Sequence, residues 1–356
     1  MSAEFPVLER FAYLNAGTFG PLSRATIAAM EERNRFDHEQ GRGGRAWFED
    51  VLRLRQRVRE KVAALIGATA DRVALTHATT DGCNVVLAGF GLRAGDEVVT
   101  TNSEHPGLLA PVHASGASVR VAEVTTRPTS EALDAIVAEV TPRTRLIALS
   151  HVIWTTGQVM PVHELRRATG LPILVDGAQS VGAIDVDVDE LDFYTVSCQK
   201  WLCAPEPSGA LYVREPESLR VALPSFLSQQ AIERDGTFVP RDGAARFDTG
   251  WVATTALAGL ETALAEAPPN RSELGRAAAR RCRQLLRERG HDVIGDGDAT
   301  LVSFTAPSGD AAADAARLYD ARVIVRDLPG TGWLRASCGW WTIDEHLERL
   351  VQALPR

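Results

Sequence analysis

The sequence has few cysteines, no basic stripe and no long apolar run, and each lack removes a class of protein from consideration. Its five cysteines, Cys83, Cys198, Cys203, Cys282 and Cys338, are odd in number and show none of the short paired spacings of structural zinc sites. Neither a disulfide framework nor a metal cluster is expected, and a reducing setting fits. No apolar stretch approaches membrane-spanning length, and MSAEFPVLER carries acids where a secretory leader has a basic region and an apolar core. The expectation is a cytoplasmic protein that does not engage a membrane. With a formal charge of -8, and arginines spread along helix-like stretches, a nucleic-acid backbone is not the expected partner. A small molecule is.

What is present is enough for a large core: 356 residues, 45% of them hydrophobic, fit one big domain with a smaller companion. From residue 49 the pattern alternates between the helical and strand periods. EDVLRLRQRVREKVAALIG reads as a helix, and RVALT, DEVVTTN, SVRVAEV, RLIALSH, PILVDGA, DFYTVS and GALYVR read as short strands. Several are separated by amphipathic stretches such as EALDAIVAEV and VHELRRATG, so a mainly parallel α/β sheet with helices on both faces is predicted. After about residue 250 two helices precede the strand candidates TLVSFT, RVIVRD and WLRASC and a final helix, the texture of an α+β unit. The predicted division is a large unit over 15–250 and a small one made of 1–14 and 251–356. No Ser- or Gly-rich linker and no internal repeat interrupts either.

Three stretches carry candidate chemistry. In THATTDGCN, Thr79 and Thr80 stand between a strand and a helix, where hydroxyls and free N–H groups at a helix start can cradle a dianion. A simple helix cap at Thr80 reads equally well from this segment alone. PILVDGAQS ends an apolar strand with Asp176, followed by Gln179 on the same side; a carboxylate there either seeks a cation or caps the next turn. VSCQKWLCAP places Lys200 just beyond the DFYTV strand, although most lysines are solvated surface charges. Pyridoxal 5'-phosphate accounts for all three at once: a phosphate for the threonine turn, a pyridinium nitrogen for Asp176 and an aldehyde for Lys200.

Together YLNAG, THATTDGCN, SEHPG, SHVIWTTGQVMP, VDGAQSVG, SCQKWL, RFDTG and WLRASCGWWTIDEHLERLV resemble, in order and over essentially the whole chain, class V, fold-type I pyridoxal-phosphate enzymes. That group includes cysteine desulfurases, isopenicillin N epimerase-like proteins and cysteine/cystine C–S lyases. The resemblance implies that Lys200 carries the cofactor and moves the substrate proton, that His105 stacks on its ring, and that Asp176 holds the ring nitrogen. It further implies that Gln179 bonds the ring's phenolic oxygen while Ser197 and Gln199 join Thr79 and Thr80 at the phosphate. Arg335 is similar to the arginine that binds the substrate carboxylate, and Arg326 to a second arginine over the substrate; Asn15 and Ala16 are implied to line the substrate pocket. A homodimer with shared active sites follows from the same resemblance, with RFDTGW as the bridging segment.

Within that group, desulfurases use a cysteine on a mobile loop. Residues 326 to 334 contain none, and the motifs are most similar to the C–S lyase branch. The resemblance therefore implies β-elimination from a cysteine-derived amino acid, with desulfuration, epimerisation or transamination as alternatives and a non-catalytic binding protein as the other class. Two departures stand out. Pro207 replaces a permissive backbone position after the lysine, and Trp251 stands where a threonine often reaches the neighbouring subunit's phosphate.

Overall fold

The computed structural model describes residues 4–125, 127–295 and 297–355. Its centre is a seven-stranded sheet in the order Val73–Thr76, Gly209–Val213, Phe193–Ser197, Ile173–Asp176, Thr144–Ser150, Glu97–Thr101 and Ser118–Ala122. Only Gly209–Val213 runs antiparallel to its neighbours. The inner strands are apolar without alternation because helices cover both faces, the pattern a buried parallel sheet demands. Every residue of Val73–Thr76, Ile173–Asp176, Phe193–Ser197 and Gly209–Val213 is buried.

One covering helix, Arg45–Leu65, presents Val51, Leu54, Val58 and Val62 at helical spacing to the core while its arginines face outward or pair. Two of those arginines are buried with Asp248 of the RFDTG stretch: Arg55 Nη2 and Arg59 Nη2 each donate to Asp248 Oδ2 at 2.8 Å. Asp248 Oδ1 also accepts the Leu75 N–H at 2.8 Å, and the Thr249 N–H donates to the Leu75 carbonyl at 3.2 Å. A buried carboxylate held by two guanidinium groups and a backbone donor fixes this segment against the Val73–Thr76 strand, just before the Thr79–Thr80 turn.

A second, four-stranded antiparallel sheet has the order Val293–Ile294, Leu301–Thr305, Trp333–Ser337, Arg326–Leu328. Helices Arg271–Glu288 and Asp344–Ala353 pack Ala279, Cys282, Leu286, Leu347 and Leu350 into its separate core. The N-terminal pair Ala12–Tyr13 runs parallel to Val323–Ile324, so the start of the chain is built into this region before it crosses the cleft.

The helix Thr254–Glu266, assigned from the sequence to the smaller unit, lies elsewhere: Ala256, Leu257, Leu260 and Ala263 join the core of the large sheet. Its small, apolar TTALAGLETALAE face packs against the helices Arg24–Gln40 and Arg45–Leu65, a pairing that connectivity near residue 250 does not reveal. Among the described residues no helix is long and apolar enough to cross a membrane.

Candidate active site

The parallel strands all end on one edge of the large sheet, and their loops converge there, as open α/β sheets require of a binding site. Thr76 leads to Thr79 and Thr80, Thr101 to His105, Ser150 to Trp154, Asp176 to Gln179, and Ser197 to Gln199 and Lys200. The resulting cleft of about 260 Å³ is lined by Thr79, Thr80, His105, Gln179, Ser197, Gln199 and Lys200 from this side and by Arg326 and Arg335 from the small sheet. Gly17, Thr18 and Phe19 of the N-terminal turn and Trp154 complete it.

At the helix Thr79–Gly89 the N-cap is Ala78, which offers no side-chain acceptor. Thr80 is therefore not the cap; it sits inside the first turn, and the turn's N–H groups point out without a side-chain partner. Gly209 lets the neighbouring strand pass close beneath, since a Cβ there would meet Thr76 Oγ1 at 2.9 Å and Ala78 Cα at 3.0 Å. Ser197 Oγ donates to Gln199 Oε1 at 2.9 Å, which orients the Gln199 amide beside the same turn. Helix N–H groups and hydroxyls placed in this way can cradle an anion.

Asp176 lies beneath the cleft, 3% exposed. Its Oδ1 accepts the Ala178 N–H at 2.9 Å and the Thr195 hydroxyl at 3.4 Å, so it shapes the following turn as well. No ion pair to it occurs among the described residues, and a buried carboxylate in that condition favours a cation above it. Gln179 is held at both ends, donating from Nε2 to the Gly17 carbonyl at 2.8 Å and accepting at Oε1 from Trp201 Nε1 at 3.0 Å. His105 caps the helix Pro106–Ala114; the Gly107 N–H donates to its Nδ1 at 3.0 Å, leaving the proton on Nε2. Burial first, then the charge on Lys200, lowers the His105 pKa and favours that neutral ring. Burial likewise lowers the Lys200 pKa to about 8, with Asp176 opposing and Arg335 and Arg326 adding to the fall.

Arg335 and Arg326 are direct cross-strand partners in the small sheet. Like charges so placed repel, and neither has a carboxylate partner among the described residues. Arg335 is 1% exposed; Nη1 donates to the Trp154 carbonyl at 2.7 Å, whereas Nε has no partner. Burial first, and then Arg326, lowers its pKa to about 9. Arg326 Nη1 donates to Thr18 Oγ1 at 3.1 Å. A Cβ at Gly17 would lie 2.6 Å from Arg335 Nη2, so a larger residue there would have to displace the Arg335 guanidinium. A bound anion would relieve this arrangement.

Two sequence expectations change. Ala16 is fully buried in the core and Asn15 accepts from Thr18 Oγ1 at 2.9 Å, shaping the turn; the cleft wall is made by the next three residues. The AGTFG run signals a turn, but which of its side chains face inward depends on contacts with residues more than three hundred positions away. Trp154 of SHVIWTTGQVMP has no sequence signal of its own that marks it for the site; its ring meets His105 edge-on at 5.3 Å. Pro207, preceded by a cis peptide bond, does not line the cleft. Trp251 packs on Trp47 and Phe48 of its own chain, with ring centroids 6.2 and 5.9 Å away, and remains 45% exposed.

A paired anion cradle, a buried carboxylate awaiting a cation and a desolvated amine in one cleft match pyridoxal phosphate, and residues 13–331 match the family model described as Aminotransferase class-V. The chain belongs to the class-V aminotransferase family. Members of that family depend on pyridoxal phosphate, and the cofactor is assigned to this chain accordingly. The class-V chain is 30% identical over 382 residues to isopenicillin N epimerase of Streptomyces clavuligerus, with 96% of this chain and 93% of the relative covered. It is 30% identical over 271 residues to a probable cysteine desulfurase of Methanothermobacter thermautotrophicus, covering 72% and 66%. Among solved structures, the cystine C–S lyase C-DES in complex with its reaction product cysteine persulfide superposes with a TM-score of 0.90 at 26% identity, covering 98% of both chains. A C-DES variant with glycine covalently linked to the cofactor gives 0.91 at 25%, covering 99% and 98%.

Proposed function

We propose that this class-V enzyme eliminates a sulfur group from Cβ of a cysteine-derived amino acid without forming a protein persulfide. The observation that carries the reading is the segment between Arg326 and Leu334. It is an antiparallel hairpin, Arg326–Leu328 against Trp333–Ser337, and it carries no cysteine that could serve as a loop thiol. All five cysteines are buried, and burial raises the thiol pKa of Cys83, Cys198 and Cys203, which keeps them protonated and poor nucleophiles. The likeness to C-DES over the full chain supports the same reading.

Arg335 and Arg326 would hold the substrate carboxylate and orient Cα–H toward Lys200. With its pKa lowered to about 8, Lys200 has an appreciable neutral fraction near physiological pH, far more than a solvated lysine, and in that form could take the Cα proton. Thr79, Thr80, Ser197 and Gln199 would hold the cofactor's phosphate, Asp176 its ring nitrogen, Gln179 its phenolic oxygen and His105 its face. When bound there, the cofactor supplies an electron sink for the pair released at Cα. The products expected of such an elimination are a sulfide, persulfide or thiol, which would keep the electrons of the Cβ–S bond, and pyruvate with ammonia from hydrolysis of the remaining three-carbon fragment. Incubating the loaded enzyme with cysteine, cystine and cysteine conjugates should yield pyruvate and the sulfur product in equal amounts. Replacing each cysteine in turn should leave turnover within about threefold. A cysteine that proves essential and carries a persulfide during turnover makes desulfuration the correct reading. The full-length similarity to an epimerase keeps a second reading in view, in which the proton returns to the opposite face of Cα; inverted substrate without pyruvate would establish it.

The working unit proposed is a homodimer. Leu223, Phe226, Ile232, Val239 and Trp251 are 45–61% exposed along one stretch that includes the hairpin Gln229–Ile232 and Phe238–Pro240, an apolar surface suited to a second copy. Light scattering should give twice the chain mass, and Phe226→Glu with Ile232→Glu should give monomers. A fully active monomer of the unaltered chain refutes the dimer.

A further inference from the structure

Glu104, immediately before His105, has no part in the chemistry above. Its carboxyl is buried, and it bridges the ends of two adjacent parallel strands. Oε1 accepts from Thr101 Oγ1 at 2.6 Å; Oε2 accepts from the Ser150 N–H at 2.8 Å and from Ser150 Oγ at 2.5 Å. Ser150 is in turn the direct ladder partner of Asp176. One carboxyl thus connects the turn that presents His105 to the strand end that presents Asp176. No cation pairs with it among the described residues. The titratable groups facing it are Asp176 from the neighbouring strand and Cys83 from the helix Thr79–Gly89, with His105 following on its own turn.

The donor set explains how this group can exist in two charge states. An ionised carboxylate accepts all three hydrogen bonds. A protonated one must donate, and either hydroxyl can rotate to accept while the Ser150 N–H keeps its partner. The clamp therefore survives proton loss, and what changes is the negative charge beside Asp176. Resting on the cofactor assignment made above, we propose that Glu104 is a positioning residue that locks the His105 turn to the Asp176 strand and, by gaining or losing its proton, adjusts the strength with which Asp176 holds the cationic ring nitrogen. Burial first, opposed by the Ser150 and Thr101 hydrogen bonds and reinforced by Asp176, raises its pKa to about 7, so the adjustment falls within the physiological range.

Glu104→Gln keeps the shape and removes the proton equilibrium. The first readout uses the chain without cofactor. A carboxyl whose pKa is higher in the folded state stabilises the fold below its unfolded value and loses that contribution as pH rises through about 7. The Tm of the unaltered chain should therefore fall relative to that of Glu104→Gln between pH 5 and 8. Parallel Tm curves overturn the proposal. The second readout is exchange of the substrate α-proton into deuterated water by the loaded enzyme. An inflection near pH 7 should vanish in Glu104→Gln, with a loss of about tenfold above it, the equivalent of one pKa unit at the coupled site. An inflection that persists unchanged also overturns the proposal. Should Glu104→Gln fail to fold, Ser150→Ala removes one hydrogen bond to the charged form and should move the Tm inflection upward; no movement is the contrary result. The Tm readout needs no turnover, so it stands or falls separately from the sulfur-elimination reading.

Discussion

Lys200→Ala should abolish covalent retention of the cofactor and lower turnover about 10²–10⁴-fold, the range for removing a positioned acid–base group. The chain has only two lysines, Lys61 on the helix Arg45–Leu65 and Lys200, so the assignment can be made cleanly. Borohydride treatment of the loaded enzyme followed by peptide mapping should label the peptide containing Lys200 and leave Lys61 unmodified. The pH dependence has a defined sign. Only the neutral amine attacks an aldehyde, and burial, partly opposed by Asp176, lowers the Lys200 pKa from 10.5 to about 8. Cofactor uptake by the free chain should therefore rise with pH and level off just above 8, whereas a solvated lysine would still be gaining rate near 10. Uptake that continues to climb through pH 10, or a label on Lys61, contradicts the assignment.

Arg335→Ala should cost about 3–5 kcal/mol in the stabilisation of bound substrate, or roughly 10²- to 10⁴-fold in kcat/KM, the range for removing one member of a buried charge pair. The argument rests on geometry. Arg335 is fully buried, its Nε lacks a partner, and it faces Arg326 directly across the ladder, so the carboxylate of an amino acid would complete both groups. Lysine at 335 should recover little, because a point charge cannot reproduce the guanidinium fork. Cofactor binding, followed by its visible absorbance, should survive in both variants, which separates substrate recognition from collapse of the site. Undiminished kcat/KM for α-amino acids in Arg335→Ala would remove the arginine from substrate binding.

The hairpin around Arg335 supports the proposed elimination over the persulfide route that the sequence leaves open. A run without cysteine excludes a thiol at those positions, but a run of nine residues can form a loop or a hairpin. Pairing of Arg326 with Arg335 and of Leu328 with Trp333 makes it the second, and with it the neighbouring thiol of Cys338 is fixed in the core of the small sheet.

Much of the proposed site was legible because the residues that form it are local to strand ends. Asp176, Lys200 and the Thr79–Thr80 turn each follow an apolar run, and strand period plus the right-handed connectivity of parallel sheets sends all such ends to one edge. The helix Thr254–Glu266, the replacement of Asn15 and Ala16 by Gly17, Thr18 and Phe19 at the cleft wall, and the clamp at Glu104 were not legible. Each depends on partners far apart in the chain: Ser150 lies 46 residues from Glu104, and Arg326 lies 308 from Thr18. Periodicity states which side of an element is buried, not which distant element buries it. The sequence by itself therefore determined which polar side chains stand at strand ends, while only the tertiary structure decided which charges meet, since register and packing bring Arg335, Arg326 and Asp176 close enough to act on Lys200.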